Sequence, residues 1–427
     1  MNDDLNFEKI TCCRICKNKN LITILDLGNQ FLGSRFPKFL EEDPIRVPLI
    51  LVKCDDIENK NNCGLLQLDR NTSSSELYLH QYGYRSGLNT TMIKHLETMV
   101  KEIESFVILK SDDMILDIGS NDSTLLKCYS NGEKVGIDPT GAQFKQYYPD
   151  NITLIPDFFN KNVFENKFGD KKVKIITTIS MFYDLPDPIS FVEDIKSILS
   201  EDGLWITEQS YCKTMLENNS FDTICHEHLE YYTMKQFQFI ANKVGLKIIK
   251  TSLNSCNGGS FRLYLVHENN ENYDYHELLK ESDDNLDEIA DFIDRCEILK
   301  NNLYDYLIEQ KSLGKSIYLY GASTKGNTLL QYYNLDKNII TAAAERNTEK
   351  YGCRTPGTNI PIISEAQMRA ETPDFLLVLP WHFKQEFLIR ELDYMKNGGR
   401  IIFPLPQLEI YYWNGTDIDI VNLKKKL

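Results

Sequence analysis

The apolar run Met114-Ile115-Leu116-Asp117-Ile118-Gly119 constrains the fold of this chain more than any other stretch. One polar side chain among these residues, and the polar loop Ser120-Asn121-Asp122-Ser123 after them, read as a strand buried on both faces, the kind that sits in parallel sheets. Helical Leu125-Leu126 and a second strand, Val135-Gly136-Ile137 ending at Asp138, complete a βαβ unit. Further strands are predicted at 173–179, 203–207 and 246–250 with helix-like stretches between them, the alternation of an open doubly wound sheet. Met92, Ile93, Leu96, Met99, Val100, Ile103 and Phe106 recur at helical spacing ahead of this unit, with Thr90 and Thr91 as candidate N-caps. At Lys315 the pattern starts again: a strand over 317–320 runs into Gly321-Ala322-Ser323-Thr324-Lys325-Gly326-Asn327, then a helix, then a strand over 339–344 ending at Glu345-Arg346. The acidic stretch between Glu268 and Lys311 reads as a helical connector with one solvated face.

Composition narrows the classes. With 427 residues, 42% of them hydrophobic, the chain can build two or three cores. The 62 acids against 47 bases leave a formal charge of -15, which excludes a general nucleic-acid binder because such a protein needs a basic surface. The start, MNDDLNFEKI, is acidic where a signal peptide is basic, and no stretch reaches the roughly 18 apolar residues of a membrane span, so no membrane association is expected. The chain reads as cytoplasmic, with reduced thiols.

The eleven cysteines cluster once, as Cys13-x-x-Cys16 followed after 37 residues by Cys54 and then Cys63, with Cys12 as a spare neighbour. Four thiolates in two pairs suit one tetrahedral zinc, although the second pair is stretched to C-x8-C by a polar insert. The zinc would be structural, cross-linking a segment rich in Gly and Pro that buries little apolar surface. The alternative is a set of scattered reduced cysteines; a redox pair is disfavoured because no helix-opening pattern surrounds it. The fold class expected is therefore α/β, two Rossmann-like doubly wound domains preceded by a small zinc-binding domain. Its borders are 1–88, 89–267, a connector over 268–310, and 311–427.

Asp138 follows Gly119 by 19 residues, the interval that sets a carboxylate at the tip of the second strand over a ribose. The loop lacks the later glycines of a dinucleotide site, having Asn121 and Thr124 there, so the cofactor expected carries no pyrophosphate. S-adenosylmethionine fits, with Asp117, Gly119, Asn121, Asp138 and Pro139 as its candidate contacts; an ordinary α/β turn with chance acids is the alternative.

Two of the seven histidines fall in Phe221-Asp222-Thr223-Ile224-Cys225-His226-Glu227-His228-Leu229. A histidine near neutral pKa can take a proton from a carbon beside a carbonyl, and a glutamate beside it can orient the ring. A metal site is the weaker reading, since His226 and His228 would project alike only from a strand and HExxH is absent. A pair of hydrogen-bonded interface histidines stays open.

Taken in order, CRxC with its later cysteine pair, Tyr82-Gly83-Tyr84-Arg85-Ser86, Asp117 to Asp122, Phe221 to His228, Asn257-Gly258-Gly259-Ser260-Phe261-Arg262 and Tyr320 to Asn327 resemble the three-domain nucleotide-sugar C-methyltransferases of deoxysugar biosynthesis. The resemblance covers nearly the whole chain. It implies a zinc domain, a central S-adenosylmethionine domain and a C-terminal Rossmann-like domain that helps hold a nucleotide-linked 4-keto sugar. It implies His228 as base, Glu227 beside it, His226 in the same cluster, Tyr82 or Tyr84 lining the pocket and offering an oxyanion donor, and Asp157 and Phe158 near the adenine. Cys225 stands where better-known members have tyrosine, which leaves the sugar and the carbon methylated open. Cys225, Ser260, Ser323 and Asn327 are candidate substrate contacts, and Arg262, Lys325 and Arg346 candidate diphosphate ligands. The rival readings are an O- or N-methyltransferase and, in another class, an NAD(P)-dependent oxidoreductase using the C-terminal fold. A monomer or small homo-oligomer is expected.

Overall fold

A computed structural model describes residues 7–59, 61–78, 84–274, 276, 278–279 and 286–422. Leu21–Phe31 (β1), Arg46–Cys54 (β2) and Leu66–Leu68 (β3) form an antiparallel sheet, and a two-residue strand from far along the chain, Glu230–Tyr231, completes its edge beside β3. The sequence reading of this segment as mostly loop is corrected here. β1 carries Asp26, Asn29 and Gln30 among its apolar residues and slips register against β2 between Thr23 and Leu25 and again between Asp26 and Asn29, so strict alternation is lost. Its apolar side chains are shared out: Leu25, Leu27, Leu49, Leu51, Leu66 and Leu68 pack with the last domain, while Cys13, Ile15, Cys54, Cys63 and Leu65 pack with the central one.

Helix α1 (Thr90–Phe106) buries Met92, Leu96, Met99, Val100 and Ile103 on one stripe. Its cap is Asn89, one residue before the expected threonines, whose side chain accepts from the backbone N–H groups of Thr91 and Met92. Five parallel strands follow, β4 (Met114–Ile118), β5 (Glu133–Ile137), β6 (Ile152–Ile155), β7 (Val173–Ile179) and β8 (Leu199–Ser210). With β9 (Leu246–Asn254) and β10 (Ser260–His267) they form one sheet ordered β9-β10-β8-β7-β4-β5-β6, β10 lying antiparallel to both neighbours. The element between β4 and β5 is a single 3-10 turn, Leu126–Cys128, where a helix is predicted. The chain reverses direction across the sheet at β4, and the loops after β4, β5 and β7 meet at its carboxyl edge.

Helix α2 (Leu286–Ser312) is the expected connector and buries Ile289, Phe292, Cys296, Leu303 and Leu307. Beyond it lies a second doubly wound sheet. Its strands are β11 (Ile317–Tyr320), β12 (Ala342–Glu345), β13 (Ile362–Ser364), β14 (Phe375–Val378) and β15 (Arg400–Phe403), all parallel. An antiparallel hairpin, β16 (Glu409–Trp413) and β17 (Ile418–Asn422), extends the β15 edge. Helix α3 (Thr324–Tyr332) follows β11 and is capped by the Ser323 hydroxyl, which accepts from the Gly326 N–H. Among the described residues no helix is long and apolar enough to cross a membrane.

Replacing the α1 cap, Asn89→Ala, should weaken the first turn by about 1 kcal/mol, so amide exchange there should accelerate roughly fivefold; an unchanged rate would place the cap elsewhere.

Candidate active site

The loop after β4 is pinned from within. Asp138, at the tip of β5 and 5% exposed, accepts from the Asn121 N–H at 2.7 Å and from the Thr140 N–H at 2.6 Å, and its carboxyl is raised by burial. The Asn121 side chain clamps the preceding segment, its Oδ1 accepting from the Ser86 N–H at 3.0 Å and its Nδ2 donating to the Tyr84 carbonyl at 3.2 Å. Gly119 has φ +76, and a Cβ there would come within 3.0 Å of the Met181 side chain in the loop after β7. Asp117 faces inward: its carboxyl accepts from the Thr177 hydroxyl at 2.6 Å and burial raises its pKa to about 7, so it braces β4 against β7. Pro139 lies partly exposed just past Asp138, and Asp157 and Phe158 are exposed after β6.

Between Phe221 and Leu229 the backbone is a 3-10 turn and loop, so the two histidines point apart. His226 Nε2–H donates to the Val47 carbonyl of β2 at 3.0 Å and ties the loop to the first sheet, which corrects its assignment to the catalytic cluster. His228 Nδ1–H donates to the Thr223 carbonyl at 2.9 Å; a carbonyl only accepts, so the proton is on Nδ1 and Nε2 keeps its lone pair. Burial, helped by Lys325, lowers the His228 pKa to about 3, which keeps the ring neutral. Glu227 is 5% exposed and neither carboxylate oxygen meets a hydrogen-bond partner among the described residues, His228 included. The Cys225 thiol is held well above its ordinary value by burial and then by Glu227, so it stays protonated.

Several expected substrate ligands are already engaged. Arg262 lies between Glu208 at 2.8 Å and Glu102 at 2.7 Å, the Ser260 hydroxyl donates to the Cys256 carbonyl, and the Asn327 amide donates to the Gly33 carbonyl at 2.7 Å, joining the first and last domains. These three are internal braces. Ser323 and the half-exposed Arg346 line a cavity of about 270 Å³, framed by the loops after β11, β12 and β14 and closed on the other side by Phe36 and residues Tyr84 to Asn89. Lys325 turns instead toward the His228 loop, its ammonium donating to the Thr223 hydroxyl at 3.3 Å. Tyr82 lies outside the described residues, and Tyr84 is on the cavity wall.

A smaller cavity holds His228 with Tyr183, Tyr211, Cys212, Thr223, Glu230 and Tyr231. Tyr183, whose ring centroid is 4.4 Å from that of His228, was not singled out from sequence, nor were its neighbour Asp184 or the pair Trp381 and His382. The concentration Phe182-Tyr183-Asp184 directly after a buried parallel strand was the available signal for the first pair. Asp222 accepts from the Trp381 indole N–H at 3.0 Å.

Three family models match in sequence order: "Putative zinc binding domain" over 13–78, "Methyltransferase domain" over 87–251 and "C-methyltransferase C-terminal domain" over 255–406. Together the matches span most of the chain, and the chain is a methyltransferase. The relative C-methyltransferase NovU of Streptomyces niveus is 25% identical over 415 residues, covering 92% of this chain and 95% of its own. Among solved structures, the plantazolicin methyltransferase BamL in complex with a triazolic desmethylPZN analog and SAH aligns at a TM-score of 0.34 and 14% identity, over 41% of this chain and 84% of its own.

This methyltransferase uses S-adenosylmethionine, and the β4 carboxyl edge fits it: a bare backbone at Gly119, a carboxylate at Asp138, and a Phe158 ring left 39% exposed after β6. It also carries zinc. The sulfurs of Cys13 and Cys63, and of Cys16 and Cys54, approach to 3.4 Å, and all four lie within 4.8 Å of one another, near the ~3.8 Å edge of a zinc tetrahedron with 2.3 Å Zn–S bonds. Elemental analysis should return about one zinc per chain, and Cys54→Ser should lose it together with protease resistance of the first domain; a folded, metal-free protein would contradict the assignment.

Proposed function

We propose that this methyltransferase acts on a nucleotide-linked 4-keto sugar, with His228 removing the proton beside the carbonyl and that carbon receiving the methyl group. The observation that carries the reading is the fixed tautomer of His228: Nδ1–H is committed to the Thr223 carbonyl, so Nε2 presents a lone pair on a ring held neutral. The Tyr183 ring packed against the imidazole limits its rotation. Glu227, buried with neither oxygen partnered among the described residues, is suited to receive a sugar hydroxyl, which would satisfy it. The cavity at the carboxyl edge of the second sheet approaches the size of a ligand pocket; its wall carries Arg85 and Lys350 together with Arg346 and Arg390, the last two paired with Glu365 and Glu386, and is in this reading the setting for the nucleoside diphosphate.

Bound S-adenosylmethionine supplies an electrophilic methyl on a sulfonium. In this reading Asp138 holds its ribose, Gly119 and Asn121 its amino-acid end and Phe158 its adenine, while the segment Tyr84 to Asn89 stands between that loop and the substrate cavity. The chain's contribution to rate is orientation of the two reactants together with the base.

Asp138→Ala should weaken S-adenosylmethionine binding tenfold to a hundredfold by calorimetry, the equivalent of roughly 1 to 3 kcal/mol for ribose hydroxyls left unpaired. His228→Asn should lower turnover about a hundredfold to ten-thousandfold while S-adenosylmethionine affinity stays within about threefold. The decisive measurement is wash-in of solvent deuterium at the carbon beside the carbonyl of 4-keto nucleotide sugars. Exchange that survives in His228→Asn moves the base elsewhere, and methylation of a hydroxyl alone refutes carbon methylation.

A further inference from the structure

We infer that Lys325 holds the oxygen on which negative charge develops during enolisation, and is a catalytic residue rather than a ligand of the substrate diphosphate. The inference rests on the reading of His228 as an enolising base. Thr223 is the hinge of the argument: its carbonyl accepts from His228 Nδ1–H at 2.9 Å, and its hydroxyl accepts from the Lys325 ammonium at 3.3 Å. Base and cation are thus anchored on one residue, although they come from different domains. Ser323 and Thr324, immediately before Lys325, line the large cavity, whereas the lysine side chain leaves that wall for the His228 loop.

The surroundings leave this cation short of partners. An ammonium offers three N–H donors. Among the described residues its one hydrogen bond is the long one to Thr223. Asp184 and Asp222 both feel Lys325, but burial outweighs it and holds each carboxyl above its ordinary range, so neither is a full counter-charge. Cys225 and His382, which also sense the lysine, are held in their neutral forms. A partly desolvated ammonium beside a neutral base is a preorganised partner for an anion that exists only after proton transfer. In that step the C–H bond beside the carbonyl breaks, its proton bonds to His228 Nε2, and the electron pair moves through carbon to the carbonyl oxygen. Charge is then separated between an imidazolium and an enolate, and Lys325 both disfavours the first and stabilises the second. Placing the oxygen closer to the ammonium than the imidazole is what makes the balance favourable.

The test is solvent deuterium exchange and methyl transfer with a 4-keto nucleotide sugar, in wild type, Lys325→Met and Lys325→Gln. Binding of uridine and thymidine diphosphates and of S-adenosylmethionine is measured alongside. Both variants should lose exchange at least a hundredfold, a scale typical of one oxyanion donor, while affinities for both diphosphates and for S-adenosylmethionine stay within threefold. Because Lys325 depresses the His228 pKa, residual exchange in the variants should also show its acid limb at higher pH, a shift that a merely structural role would not produce. The groups sharing the His228 cavity, Tyr183, Cys212, Glu230 and Tyr231, are unchanged in these variants. Exchange within threefold of wild type, with diphosphate affinity down tenfold or more, would overturn the inference and return Lys325 to the phosphates. Wild type that exchanges no proton would instead remove the enolisation reading itself. If Lys325→Met does not fold, Lys325→Gln alone decides, since its amide can still donate to Thr223.

Discussion

The arrangement of the site depends on a buried contact between Arg14 and Glu230. Arg14 lies between the metal ligands Cys13 and Cys16, and its guanidinium sits 3.4 Å from a Glu230 oxygen with both side chains almost wholly out of water. The remaining donors go to the Leu68 carbonyl at 2.7 Å, the Arg70 carbonyl at 3.0 Å and the Asn71 amide oxygen at 2.6 Å. Burial lowers the arginine and raises the glutamate well above its ordinary range, so the carboxyl favours its neutral form. Losing the guanidinium would leave the buried carbonyls it serves without that donor, a cost of about 1 to 3 kcal/mol for each unsatisfied group. Glu230 is two residues past His228, and the cysteine-bearing segment therefore sets where His228 lies.

The loop that carries His228 is held from the other domains as well. His226 reaches the first sheet, Asp222 receives the indole of Trp381 from the last domain, and Phe221 stacks on Tyr333 at 5.2 Å. Three bodies meeting on eleven residues exclude water from a place where ionisable groups are unusually dense. The result is visible in Asp184, Asp222, Cys225 and His228, each displaced toward its neutral form mainly by burial. Few formal charges survive there, so those that do act over longer distances than they would at a wet surface.

Much of this was legible from residue order, and the reasons for the exceptions are physical. Val173–Ile179 reads as a strand with no shift at either end because its apolar run is bounded by lysines and by Ser180. Ser260–His267 is as apolar but is not among the strands expected from sequence, and its antiparallel insertion is set by pairing that periodicity does not report. Arg262 looks like a phosphate ligand until Glu102 and Glu208 are seen beside it, 160 and 54 residues away in sequence. The His-Glu-His cluster was visible, but a turn has no fixed period, and only coordinates show that His226 and His228 face opposite ways. Tyr183 and His382 join the site through tertiary packing alone.

The edge strand Glu230–Tyr231 has a consequence for the order in which the protein is made. The first sheet lacks its fourth strand, and Arg14 its buried neighbour Glu230, until residue 231 has been synthesised. Its outer face waits longer, since Gln331 bonds both the N–H and the carbonyl of Phe31, and Arg354 closes on the Pro37 carbonyl and Asp43. A nascent chain that has emerged only as far as its cysteines therefore exposes Leu25, Leu27, Leu49 and Leu51 with nothing to cover them. The domain translated first thus stays incomplete until residue 354 has been made, so its apolar face needs early metal capture or chaperone cover in the meantime.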